Sequence, residues 1–126
     1  MADEYSGFSV GEGQNLNGRL TLGENAADNG GIRIAYQALQ ATLAQNPNAA
    51  PAQGGYNASQ QFFLSFAQVW CENQTDQAAR VRAKTDPHST GEWRVKGTVQ
   101  NFDEFGKAFG CKVGQPMMPE KSCRVW

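Results

Sequence analysis

A helical pattern running from Leu22 to about Gln45 constrains this chain more than any other feature. Its apolar and small positions, Ala27, Gly31, Ile34, Ala35, Ala38 and Leu39, recur at spacings of three and four. That period predicts one buried helix face. Asn46-Pro47 ends the helix, because the residue before a proline is driven out of the helical region. Near its start, Glu24 and Asp28 stand four apart, so their carboxylates lie one above the other on a single face. A carboxylate ligand with a second carboxylate one turn behind it is one way to assemble a metal site on a helix. The first binds the ion and the second orients a neighbouring histidine ligand. The same pair also serves, more commonly, as a solvated helix face. Gly30 and Gly31 follow directly, and each mid-helix glycine costs about 1 kcal/mol relative to alanine. Their presence predicts that another backbone or a metal centre packs closely there.

Around this helix the remaining segments are shorter. Residues 1 to about 20 are rich in glycine, asparagine and serine and read as an irregular lead-in, and residues 47–56 read as a loop. Asn57 is a candidate N-cap, with Gln60 completing a capping box. Phe62, Phe63, Leu64, Phe66, Ala67, Val69 and Trp70 then cover most faces of a short helix, and a helix apolar nearly all round belongs in an interior. In a chain of this size it needs more cover than the other segments supply. A polar helix from Asp76 to about Ala83 leads into a Thr85–Gly91 loop marked by Asp-Pro and Thr-Gly steps. Trp93–Val99 shows partial alternation and predicts a short strand or an extended arm. Phe102, Phe105, Ala108 and Phe109 mark a last short helix closed by Gly110. The tail, residues 114–119, reads as extended, and Arg124 and Trp126 read as a terminus tucked into the fold. The fold class expected is mainly α, with at most one short extended pair.

Composition excludes several functions. The 126 residues carry 11 basic and 12 acidic side chains, a formal net charge of −1. No basic patch points to nucleic acid. No apolar stretch approaches the ~18 residues a membrane span requires. Met1–Tyr5 lacks the basic and apolar regions of a signal peptide, so an export address would lie upstream. One domain at most is expected, burying roughly two-thirds of its unfolded surface if it folds alone. Cys71, Cys111 and Cys123 make an odd count, which implies a partner elsewhere or a free thiol in an oxidising compartment. Asn57-Ala-Ser59 and Asn73-Gln-Thr75 are glycosylation triplets, which also occur often by chance. His88 is the sole histidine.

The segment Asn17–Tyr36, with Glu24-Asn-Ala-Ala-Asp28 at its centre, resembles the segment carrying the third zinc ligand in the neprilysin and endothelin-converting enzyme family of zinc metallopeptidases. Phe62–Cys71, Thr85-Asp-Pro-His-Ser89, Arg94–Phe102 and Cys123-Arg-Val-Trp126 continue the resemblance in the family's order, from about Tyr5 to Trp126. The resemblance implies that Glu24 binds zinc and that Asp28 orients a zinc-ligating histidine. It implies that His88 donates to the oxyanion of the tetrahedral intermediate, an interaction typically worth about 3 kcal/mol of barrier. Asp86 would orient His88 or cap its loop. Arg94 would bind a substrate backbone carbonyl through its forked donors. Val69 and Trp70 would line the pocket for the side chain after the scissile bond.

The family's His-Glu-x-x-His motif, which brings two zinc ligands and the general base, does not occur in these 126 residues. The resemblance therefore implies the C-terminal part of a thermolysin-like (zincin) catalytic domain, with residues 1–20 as lead-in and 21–126 as helical body and tail. One of three zinc ligands is present. The implied partners are a peptide cut on the amino side of hydrophobic residues and the remainder of the catalytic domain. The isolated chain is expected to be inactive and prone to self-association. In the family's animal members, cysteines matching all three here bond to cysteines further upstream. An extracellular, periplasmic or cell-surface setting is implied. The alternative is a non-catalytic helical binding or structural module derived from the same family.

Overall fold

A computed structural model describes residues 1–125. Six helices follow one another: α1 (Ala2–Tyr5), α2 (Leu22–Gln45), α3 (Ala58–Val69), α4 (Asp76–Thr85), α5 (Gly91–Val99) and α6 (Asp103–Phe109). Among the described residues there is no strand, only isolated bridges between Ser9 and Asn15, Gln53 and Tyr56, and Gln115 and Met118. The 24-residue α2 ends at Asn46, which is extended as its Asn-Pro step requires. Asn57 caps α3 through a capping box with Gln60, both reciprocal bonds being 3.0 Å. Gly110 closes α6 in the left-handed region, with φ 70°.

Two apolar clusters hold the helices. Ile32, Phe63, Val99 and Phe102 form the larger, surrounded by Tyr36, Phe62, Phe66, Phe105 and Phe109. Phe63 stands at its centre, with four aromatic rings within 5.7 Å of its own, those of Tyr36, Phe62, Phe102 and Phe105. Tyr5, Leu16 and Ala83 form the second, with Phe8 and Trp93 stacked beside them at 4.2 Å between ring centroids.

Four expectations are corrected. Residues 93–99 are helical, not a strand or arm. The alternation of Trp93 and Val95 with charged neighbours masked an i, i+4 pair, Glu92 and Lys96, joined at 2.6 Å. The lead-in is not merely irregular. It contributes α1 and buries Tyr5 and Leu16, and Gly97 admits the Tyr5 ring because any Cβ there would lie 2.7 Å from it. The face of α2 that its spacing marked as buried is largely open. Ala27, Gly31, Ala35 and Ala38 are exposed, Ile34 is 60% exposed, and only Leu39 is half-buried. The buried positions are Asn25, Asn29, Gly30 and Ile32, because α5 and the tail dock on α2 through hydrogen bonds rather than through an apolar stripe. Finally, nothing within the described chain crowds Gly31, since an added Cβ would meet no atom within 4 Å.

A polar seam joins α2 to the segments that follow. The Ser89 hydroxyl donates to Asn25 Oδ1 at 2.8 Å, and Asn25 Nδ2 donates to Thr21 Oγ1 at 2.9 Å. Asn29 and Asn101 hold the tail, through the Cys123 carbonyl at 3.2 Å and the Cys123 N–H at 2.5 Å respectively. The tucking expected of the C-terminus is thus seen as far as Val125, whose N–H donates to Asn29. Trp126 lies outside the described residues. The apolar α3 is only partly interior: Phe63 is buried, but Leu64 and Val69 are 37% and 75% exposed.

Candidate active site

Glu24 and Asp28 project from the first turns of α2 towards the loop after α4 and the start of α5. The polar seam sets this approach, since Ser89 and Asn25 bond directly between those segments. Arg94, in the first turns of α5, therefore meets Asp28 in a two-pronged pair. Its Nε donates to Oδ2 at 2.6 Å and its Nη2 to Oδ1 at 2.7 Å. The two side chains are 10% and 12% exposed, so the pair is largely shielded from water. Burial alone would lower the Arg94 pKa; the Asp28 carboxylate more than offsets it and holds the guanidinium above its ordinary value. The guanidinium also lies over the Trp70 ring, 3.9 Å from its centroid.

His88 completes the cluster. Its Nε2 lies 3.5 Å from Glu24 Oε2, and Arg94 Nη2 lies 3.6 Å from the same oxygen. On the other side of the ring, Nδ1 is 2.7 Å from Asp86 Oδ1, which also accepts the His88 backbone N–H at 2.9 Å. Asp86 thus both orients the histidine and caps its loop. The backbone and ring N–H groups of His88, with Arg82 behind them, hold the Asp86 carboxyl below its ordinary range.

The structure therefore brings Glu24, Asp28, His88, Arg94 and Trp70 into one constellation drawn from α2, the α4–α5 loop, α5 and the end of α3. Val69 is 75% exposed. It lines an adjoining open groove of about 380 Å³ with Ala27, Asp28, Gly31, Phe62 and Phe66. The groove is the exposed face of α2 facing the exposed side of α3, with Asp28 at its edge.

As a metal centre the cluster is incomplete. Among the described residues, no three His, Cys, Asp or Glu side chains converge in a way that could hold an ion. Glu24 fits the part of a single donor. It is 43% exposed, and its Oε2 is shared between His88 and Arg94. Asp28, though paired with Arg94, keeps a lone pair on each oxygen for a further donor.

Two side chains at the site escaped sequence reading. Arg82 stands behind Asp86 in contact with it, and Glu72 in turn contacts Arg82. The i, i+4 spacing of Arg82 and Asp86 was a usable signal, whereas Glu72 gave none. The three cysteines are unpaired with one another, Cys71 being exposed.

A charged cluster thus stands beside an apolar groove, and comparison with known proteins assigns the family of the chain. The chain belongs to peptidase family M13, whose model matches residues 1–125. It is 47% identical to human neprilysin and 45% identical to neprilysin-3 of Drosophila melanogaster, each over the whole of this chain. It spans only 17% and 16% of those proteins. A solved open-state structure of the zinc metalloprotease Zmp1 of Mycobacterium tuberculosis superposes with a TM-score of 0.88 at 31% identity, covering 99% of this chain and 20% of that one. The mainly helical fold is thus shared with a zinc metalloprotease.

Proposed function

We propose that this chain is the C-terminal part of a zinc endopeptidase catalytic domain, in which Glu24 is the third zinc ligand. The carrying observation is the convergence of Glu24, His88 and Arg94 beside an unfilled groove. The other two ligands and the general base would come from a His-Glu-x-x-His helix in the remainder of the domain. Bound zinc supplies Lewis acidity for hydrolysis of a peptide carbonyl. Membership of a peptidase family and likeness to a zinc metalloprotease support this reading over a non-catalytic module.

Each side chain takes a role its surroundings permit. Asp28, clamped by Arg94, is a rigid acceptor suited to orienting a histidine ligand. His88 presents Nε2 on the Glu24 side of its ring. Because Nδ1–H is committed to Asp86, donation from Nε2 to a developing oxyanion uses the doubly protonated ring. Arg94 keeps its Nη1 donors for a substrate carbonyl while Asp28 fixes the plane of the fork. Val69, Phe62 and Phe66 give the groove its apolar wall, which suits a hydrophobic side chain after the scissile bond, and Trp70 follows Val69 with its ring under Arg94. An exported, extracellular, periplasmic or cell-surface setting accords with this role. No helix among the described residues is long and apolar enough to cross a membrane.

The test compares two variants of the complete peptidase. Glu24→Gln should lose zinc, whereas His88→Ala should keep zinc and lose on the order of a hundredfold in kcat. Equal zinc loss in both would refute the division of roles.

A further inference from the structure

Behind His88 stands a chain of charges that its oxyanion role does not by itself require. Arg82 Nε donates to Asp86 Oδ2 at 3.2 Å, on the side away from the histidine. Arg82 Nη1 lies 3.4 Å from both oxygens of Glu72 and 3.3 Å from Gln74 Oε1. Glu72 Oε1 also accepts the backbone N–H of Gly91 at 2.8 Å. One carboxylate from the α3–α4 loop thus ties α4 to the first residue of α5, three positions before Arg94. Space at this junction is tight: a Cβ on Gly91 would lie 2.5 Å from the Trp70 carbonyl oxygen and 2.9 Å from Glu72 Oε1.

We infer that Arg82, held by Glu72, is a positioning residue that fixes the Asp86 carboxylate and through it the His88 ring. Asp86 precedes His88 by two residues on a loop, and its carboxylate can swing about its own side-chain bonds. Pinning Oδ2 to Arg82 leaves Oδ1 one direction, towards Nδ1 and the His88 amide. The ring then keeps Nε2 on the Glu24 side without reorganising as substrate arrives, which is where a preorganised donor gains its effect. Arg82 has no hydrogen bond or ion pair to Glu24, and its contact towards His88 runs through Asp86. An exposed ion pair with no such role would contribute little and act independently of His88. The inference rests on the reading of His88 as oxyanion donor.

The experiment measures kcat and KM on a fluorogenic hydrophobic peptide for the complete, zinc-loaded peptidase and for Arg82→Gln, His88→Ala and the double variant, with zinc content followed in each. Arg82→Gln should lower kcat roughly threefold to tenfold with KM and zinc unchanged, and should cost nothing further once His88 is alanine. Glu72→Gln, which keeps the side chain's shape, should give a smaller loss of the same kind and stands in if Arg82→Gln folds poorly. An equal loss with or without His88, or a rise in KM matching the fall in kcat, would overturn the inference. Full kcat in His88→Ala would remove the oxyanion reading and this inference with it. A crippled His88→Ala beside an unimpaired Arg82→Gln would remove this inference alone.

Discussion

Arg94 and Asp28 form a bidentate pair at 2.6 and 2.7 Å with little exposure, and such a pair is valued differently from the surface bridges elsewhere in the chain. Removing one partner strands a charge in a poorly solvated place, which typically costs 3–5 kcal/mol. Asp28→Ala should therefore destabilise the chain by about 3 kcal/mol or more in urea denaturation. Adding Arg94→Gln to that variant should cost much less than Arg94→Gln does alone, since the stranded charge is already gone. Asp86 responds to pH instead. Its folded carboxyl is held below the ordinary value of 3.8, so its bonds stabilise the fold at all pH above that value. This contribution is lost as pH falls through the lower folded value. Asp86→Asn should accordingly be less stable than the parent at neutral pH, and the two should converge in acid well below 3.8. A constant gap across the acid range would show that the carboxylate's charge is not what matters.

Among the elements, α2 and α3 carry the account. Phe63 is 2% exposed at the middle of the aromatic cluster, and Phe63→Ala should cost about 3–5 kcal/mol, read from the denaturation midpoint. Gly31 is more informative. In this chain an added methyl meets nothing, so Gly31→Ala should stabilise α2 by up to about 1 kcal/mol. In the complete peptidase, where substrate is proposed to enter this groove, the same methyl should narrow it and lower activity. Unchanged activity would mean that nothing approaches Gly31.

These two helices also show what the sequence made legible. The bounds of α2 and α3 could be read because their stop and start signals are local: Asn46-Pro47 for one, the Asn57 and Gln60 capping box for the other. The inward face of α2 could not be read. Its spacing marks the apolar stripe, yet that stripe faces outward in this chain and Asn25, Asn29, Gly30 and Ile32 face in. The period reported a face that needs burial, not the partner that buries it. In α5 the two-residue alternation of Trp93 and Val95 hid a helix that carries the Glu92 to Lys96 pair. At the site, Glu24, Asp28, His88 and Arg94 were legible through motif resemblance, and folding brings them within hydrogen-bonding or ion-pair reach of one another. Arg82 left only its i, i+4 spacing from Asp86, and Glu72 left nothing, because its contacts join separate segments without a period.

At the scale of the whole molecule, the open stripe of α2 and the exposed side of α3 make one apolar surface that this chain does not cover. Val69, 75% exposed, lines it with Ala27, Gly31, Ala35, Phe62 and Phe66. Contiguous patches beyond a few hundred Å² mark interfaces or aggregation sites. Sedimentation of the isolated chain under reducing conditions should show self-association, since reductant removes any cross-linking through the exposed Cys71 and leaves the apolar face. A monomer at all concentrations would mean that the groove needs no partner. The central claim, that this chain holds one ligand of a zinc centre completed elsewhere in the domain, is tested most directly by zinc titration. The 126-residue chain alone should bind zinc weakly and cleave no peptide. Joined with the His-Glu-x-x-His remainder of the domain, it should bind one zinc ion per complex and regain activity, and both should be lost in Glu24→Gln. Tight zinc binding by the chain alone, or full zinc occupancy of the complex with Glu24→Gln, would contradict it.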